Sequence, residues 1–180
     1  MSRSKAGFTL IEALICLAVA SILLCVAGPA CADLVQRSHA AAARAALLDS
    51  IMQAVRHSAL TGSEVVLCPG GDAGCTGTSN WSGGWIAYAD IDGDRKRDAG
   101  ETLVRAEPAL ASGVHLVTST GRKRLVFQPL GGNAGSNATF TLCDRRGPGN
   151  AVALVLSNGG RLRAAKPTAR AARDCIASPP

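Results

Sequence analysis

The sequence predicts an α+β protein: one long N-terminal α-helix, transmembrane in its first half, packed on an antiparallel β-rich globular head. Three observations carry that expectation. Residues 8–32 form an apolar run of 25 residues in which Glu12 is the only charged side chain, and a membrane-spanning helix needs roughly 20. Residues 33–60 are alanine-rich without Gly or Pro, so helix continues beyond that run. From Glu64 the pattern changes to short apolar segments separated by Gly, Asn, Asp or Pro, which is how antiparallel strands read.

The first element begins behind a short basic leader. Arg3 and Lys5 favour a cytoplasmic N-terminus. An ordinary secretory signal looks similar, and Ala27–Ala32 loosely offers its small-residue cleavage site. That alternative leaves Glu12 unexplained, because an ionisable group in an apolar span is expensive and calls for a partner. Gly7-Phe8-Thr9-Leu10-Ile11-Glu12 resembles, at every position, the class III signal of type IV pilins and pseudopilins. The resemblance implies that prepilin peptidase cuts between Gly7 and Phe8 and methylates the new N-terminus. It also implies that Glu12 pairs with the N-terminal amine of a neighbouring pilin. The expected organisation is a cleaved leader 1–7, a transmembrane segment 8–32, an amphipathic helical continuation 33–62 and a head 63–180. The chain would lie in inner-membrane lipid, with its head periplasmic, before joining other major or minor pilins in a pilus.

Leu34, Ala41, Leu48, Ile51, Val55 and Ala59 fall along one stripe of the continuation, which is expected to face the head. Gly62 is the expected stop. A helix from Thr9 to Leu60 would be about 78 Å long at 1.5 Å per residue, kinked or loosened at Pro29.

The predicted strands are Glu64–Cys68, Trp85–Asp90, Thr102–Arg105, Val114–Thr118, Arg124–Gln128, Thr139–Cys143, Ala151–Leu156 and Arg161–Ala164, arranged as two small sheets. Aromatic residues make up only 3%, so the core must rest mostly on Val, Leu, Ile and Ala, with Phe127 and Phe140 inside. After Lys166 the tail should be irregular apart from a cysteine anchor. The run from Gly84 to Asp94, Gly-Trp-Ile-Ala-Tyr-Ala-Asp-Ile-Asp-Gly-Asp, resembles the Gly-Trp strand and Asp-rich turn of the GspH/FimT family.

Cys16, Cys25 and Cys31 belong to the apolar segment, where a thiol packs as a small apolar group. Cys68, Cys75, Cys143 and Cys175 lie beyond it, and in an oxidising compartment they allow three pairings. Cys68–Cys75 and Cys143–Cys175 are favoured. A zinc site is the rival, with no histidine nearby in sequence to support it. The charge is lopsided: residues 8–120 carry seven basic and eleven acidic side chains, whereas residues 121–180 carry ten and two. Such asymmetry points to a polyanion partner for the C-terminal third.

Three clusters hold candidate chemistry. Asp90-Ile91-Asp92-Gly93-Asp94, followed by Asp98 and Glu101, alternates carboxylates as calcium loops do. Gly93 is misplaced for that pattern and Arg95-Lys96-Arg97 oppose a cation, so an Asx-stabilised hairpin turn is the expected reading. Neither a metal nor a cofactor is expected. Arg122-Lys123-Arg124 reads as a hairpin tip. In Asn158-Gly159-Gly160-Arg161-Leu162-Arg163 the two arginines share a strand face about 6.6 Å apart, a spacing suited to fork-like phosphate contacts. Gly160, Arg161 and Arg163 match the Gly-Arg-x-Arg motif of FimT-type minor pilins, which implies DNA binding in natural transformation. Lys166, Arg170, Arg173, Arg145 and Arg146 are the expected supporting contacts. Scarce aromatics argue for phosphate contacts over base readout. The competing expectation is a structural minor pilin or type II secretion pseudopilin that binds only its neighbours. His39, His57 and His115 are scattered and no nucleophile or phosphate-loop motif occurs, so an enzyme is not expected.

Overall fold

The structure, a computed structural model, describes residues 9–135 and 137–178; Gly7 and Phe8, the expected cleavage site, lie outside them. Helix α1 (Leu10–Thr61) opens on Thr9, whose Oγ1 accepts the Glu12 N–H at 3.3 Å, the usual service of an N-cap hydroxyl. It runs on through Gly28 and Pro29, where the sequence predicted a kink or loosening. It ends as predicted: Gly62 takes φ 71° and donates its N–H to Ser58 O at 3.0 Å, a left-handed stop that costs glycine little.

The chain divides into two compact units, Met1–Val35 and Gln36–Pro180. In the first, the described apolar side chains from Leu10 to Val35 are exposed, and the most apolar window has a mean hydropathy of 2.7. That much uncovered apolar surface suits lipid or the packed helices of an assembly rather than water.

The second unit is the head. Its strands are β1 (Glu64–Gly71), β2 (Gly74–Cys75), β3 (Trp85–Asp90), β4 (Leu103–Glu107), β5 (Val114–Thr118), β6 (Leu125–Phe127), β7 (Ala138–Asp144), β8 (Val152–Leu156) and β9 (Leu162–Ala165). All eight predicted strands are present, within a few residues at their ends, and β2 is an addition. They form the expected two antiparallel sheets. One runs β4-β3-β1, with β6 and β2 sharing the far edge of β1; the other runs β5-β7-β8-β9.

The main core joins Ala43, Leu47, Ile51 and Ala54 of α1 to Val65, Leu67, Trp85, Phe127, Phe140, Leu154 and Leu156 of the sheets. The buried helix face is rotated from the predicted one. Leu34, Ala41 and Ala59 are exposed, Leu48 and Val55 are half-buried, and only Ile51 of the predicted stripe is fully inside. The true face includes Ser50 and Ser58, both fully buried. Ser50 Oγ accepts the Trp85 indole N–H at 2.9 Å, and Ser58 Oγ lies 2.8 Å from Ser63 O and 3.2 Å from Phe127 O. A hydropathy stripe excludes serine, whereas a hydrogen-bonded hydroxyl is buried at little cost. Trp81 stacks edge-on to Phe140 at 5.1 Å and donates its indole N–H to Thr118 Oγ1 at 3.2 Å.

Both favoured disulfides are formed, Cys68–Cys75 and Cys143–Cys175, with Cα–Cα distances of 5.6 and 6.2 Å. The tail departs from expectation: Ala169–Ile176 is a helix, α2. Thr168 Oγ1 caps it by accepting the Ala171 N–H, and buried Ala172 and Cys175 seat it with Cys143 and Ala151. An eight-residue helix is marginal alone. Here the cap and the disulfide supply what so short a helix lacks.

Candidate polyanion-binding surface

The β8–β9 hairpin carries the Gly-Arg-x-Arg stretch. Register pairs Leu156 with Leu162 and Val155 with Arg163. Leu154, Leu156 and Leu162 face the main core, so Arg163 lies on the opposite face of its sheet. Ser157 N–H donates to Arg161 O at 2.9 Å and Gly160 N–H to Ser157 O at 2.9 Å. The loop is therefore Asn158-Gly159-Gly160: a tight turn followed by one left-handed residue, a common three-residue hairpin closure. Gly160 supplies it at φ 77°, and a Cβ there would meet nothing. Its glycine serves backbone conformation rather than clearance. Arg161 sits just before β9, two residues from Arg163 as predicted, and both are exposed without an ion-pair partner among the described residues.

The turn is pinned to the 131–137 loop. Asn158 O accepts the Asn133 N–H at 2.7 Å, Asn158 N–H donates to Asn137 Oδ1 at 3.1 Å, and a Cβ on Gly132 would stand 2.6 Å from Asn158 O. The Arg122 guanidinium rests against Gly135 and reaches Ala134 O. Asn133 and Gly135 are two residues apart, at most about 7 Å of chain. The Arg161 turn and the Arg122–Arg124 cluster are thus neighbours.

That second cluster is larger than its sequence suggested. Lys123 and Arg124 line a cleft of about 500 Å³ together with Arg95, Lys96 and Arg97. Arg124 Nη1 donates to Arg95 O at 3.0 Å and Arg97 to the Asp72 carbonyl, tying three loops into one basic wall. The Arg95–Arg97 run was visible in sequence only as an obstacle to cation binding. Its meeting with residues 25 or more positions away was not.

The supporting residues divide differently. Thr139 pairs with Val155, which pairs with Arg163; Arg145 is six residues beyond Thr139, about 20 Å along the strand direction. Arg145 and Arg146 therefore stand at the other end of the sheet from Arg163. Arg146 is not a free phosphate contact, because Nε and Nη2 grip the two oxygens of buried Asp144 at 3.0 and 2.6 Å. Arg145 is exposed and donates to Ser112 Oγ at 2.8 Å. Lys166 and Arg173 line a separate cleft of about 310 Å³ between α2 and the Pro148–Asn150 turn. Arg170 makes an exposed pair with Asp174 at 3.6 Å, which is worth little. The Cys143–Cys175 bond ties α2 to the strand that leads into Arg145.

Comparison with known proteins adds the following. Residues 43–160 match the family described as type II transport protein GspH, and residues 2–27 match the prokaryotic N-terminal methylation motif. Among curated proteins none matches the sequence significantly. The structure is similar to two crystal forms of the type IV minor pilin FimU of Pseudomonas aeruginosa strain PAO1. The form in space group P65 has 15% identity and TM-score 0.53, over 72% of this chain and 91% of the chain in that crystal. The P21 form has 15% identity and TM-score 0.55, over 73% and 88%. At that identity the likeness is one of fold.

Proposed function

The chain belongs to the GspH family, and from that premise we propose that it is a minor pilin whose head captures double-stranded DNA through its phosphates, for uptake in natural transformation. Prepilin peptidase would release Phe8, and Glu12 would pair with a neighbouring pilin's N-terminus during assembly. The N-terminus would be cytoplasmic and the head periplasmic until then. The observation that supports DNA capture is the pair of unpartnered guanidiniums, Arg161 and Arg163, on a turn that neighbours Arg122–Arg124 and the Arg95–Arg97 wall. Lys166, Arg170, Arg173 and Arg145 would form a second contact zone nearer α2. Fork-like phosphate contacts, with no exposed aromatic ring among the described residues, give affinity with little base discrimination.

The test is duplex-DNA binding by the full-length protein in neutral detergent, across a salt series, for wild type and Arg161→Ala/Arg163→Ala. If four phosphates are engaged, the log–log salt slope is about −3.6, and the double variant halves it to about −1.8. A triple alanine variant of Arg122, Lys123 and Arg124 should also lower the slope. The family description favours a second reading, a type II secretion pseudopilin that binds only its neighbours. No binding at low salt, or a slope unchanged in the double variant, selects it.

A further inference from the structure

The β3–β4 connection gathers a cluster of carboxylates, Asp90, Asp92 and Asp94. Its twelve residues run Asp90-Ile91-Asp92-Gly93-Asp94-Arg95-Lys96-Arg97-Asp98-Ala99-Gly100-Glu101. Counted from Asp90, carboxylates occupy positions 1, 3, 5, 9 and 12 and a peptide carbonyl, that of Lys96, occupies position 7. These are the ligand positions of a twelve-residue calcium loop. The sequence objection was the missing glycine at position 6, where such loops turn sharply. Arg95 stands there with φ 61°, the only described non-glycine residue with positive φ. The backbone makes the turn regardless of its side chain.

Side-chain positions agree with that count. Asp90, Asp92 and Asp94 each offer an oxygen within 4.8 Å of the others, inside the roughly 4.6–5.2 Å between opposite ligands of a calcium ion at 2.3–2.6 Å. Asp90 points independently to a ligand. It is only 2% exposed; its Oδ1 accepts the Gly93 N–H at 3.0 Å, while its buried Oδ2 has no partner. A desolvated carboxylate oxygen without a donor is costly, and a cation held between Asp90, Asp92 and Asp94 would satisfy it. Glu101 closes the far end, its two oxygens accepting the Ile91 and Asp98 N–H groups at 3.0 and 3.1 Å. Of the opposing cations, Arg97 is turned away to the Asp72 carbonyl, whereas Lys96 pairs with Asp94 at 3.6 Å from a largely solvent-exposed side chain that a bound cation would displace.

We propose that Asp90–Glu101 is a calcium-binding loop, with the carboxylates of Asp90, Asp92, Asp94, Asp98 and Glu101 and the Lys96 carbonyl as its oxygen donors. Calcium rather than magnesium follows from the number of donors and a loop free to adjust, since magnesium demands a smaller, near-ideal octahedron. Binding would also stiffen the segment that presents Arg95, Lys96 and Arg97 to the basic cleft.

The test is calorimetric titration of calcium, and of magnesium in parallel, into full-length protein stripped with chelator in neutral detergent. Wild type should take up one calcium per chain with a dissociation constant of about 10⁻⁴–10⁻³ M, the range of extracellular modules, and its melting temperature should rise with calcium. Asp92→Asn/Asp94→Asn changes two exposed carboxylates and should melt like wild type in chelator, whereas Glu101→Gln removes charge and one of the two oxygens that accept backbone N–H groups. Each should weaken uptake at least tenfold. No uptake by wild type at about 10 mM calcium, or undiminished uptake by both variants, overturns the proposal and leaves a loop closed by its own hydrogen bonds. Equal affinity for magnesium overturns the choice of metal.

Discussion

Replacing Cys143 and Cys175 together by alanine should cost the head about 3.7 kcal/mol on the loop-entropy model, because the bond spans 32 residues of sequence. The same model values Cys68–Cys75, with a separation of 7, at about 2.4 kcal/mol. The expected difference of about 1.3 kcal/mol depends only on loop length. Packing acts in the same direction, since Cys143 and Cys175 are both buried whereas Cys75, the partner of buried Cys68, is half-buried. The assay is thermal unfolding of full-length protein in detergent, followed by near-ultraviolet circular dichroism from Trp81 and Trp85. For a head of this size, about 3.7 kcal/mol corresponds to a drop of roughly 7–15 °C. The 143/175 variant should therefore melt several degrees below the 68/75 variant. It should also lose amide protection in α2, which is too short to persist without its anchor. Equal melting temperatures, or a protected α2 in the 143/175 variant, would refute the reasoning and place the stability of the tail in Ala172 and its neighbours instead.

Tyr88 is the only tyrosine, and its phenol is pushed up to about 12 by burial first, then by the fields of Asp90 and Glu101. At pH 11 the folded protein should show about a tenth of full tyrosinate absorbance, against about nine-tenths unfolded. The raised value stabilises the fold fully below pH 10, and that contribution is lost between pH 10 and 12; a midpoint near 10 with native dichroism would contradict it. Glu12→Ala should still be cleaved and methylated at Phe8 but assemble into pili at a small fraction of the wild-type level. Pilus recovery and N-terminal mass spectrometry measure the two effects, and normal assembly would remove the proposed pairing.

What was legible in the sequence was what depends on nearest neighbours and period. The apolar run with its single Glu12, the stop at Gly62 and the eight strands follow from local pattern, which tertiary packing here reinforces. Both disulfides were the favoured pairing of the three the sequence allowed, and the structure decided between them. The helix face was misread because hydropathy alone excludes Ser50 and Ser58, and their acceptability depends on partners, Trp85 and Phe127, far along the chain. Helix α2 was missed although its Ala- and Arg-rich run behind Thr168 favours helix, because eight residues are too few to persist without the tertiary anchor at Cys175.

The functional surfaces divide along the same line. The sequence by itself determined that the chain carries a methylation-type N-terminus, an apolar helix and a basic C-terminal third, since each is a property of contiguous residues. Only the tertiary structure decided which charges act together. It set Arg146 against Asp144, placed Arg145 at the other end of the sheet from Arg163, and joined Arg95–Arg97 to Arg122–Arg124 beside the Arg161 turn. It also turned Arg95 to positive φ and buried Asp90 without a donor for one oxygen. Electrostatic interaction depends on distance through space and on burial, and neither can be read from position along the chain.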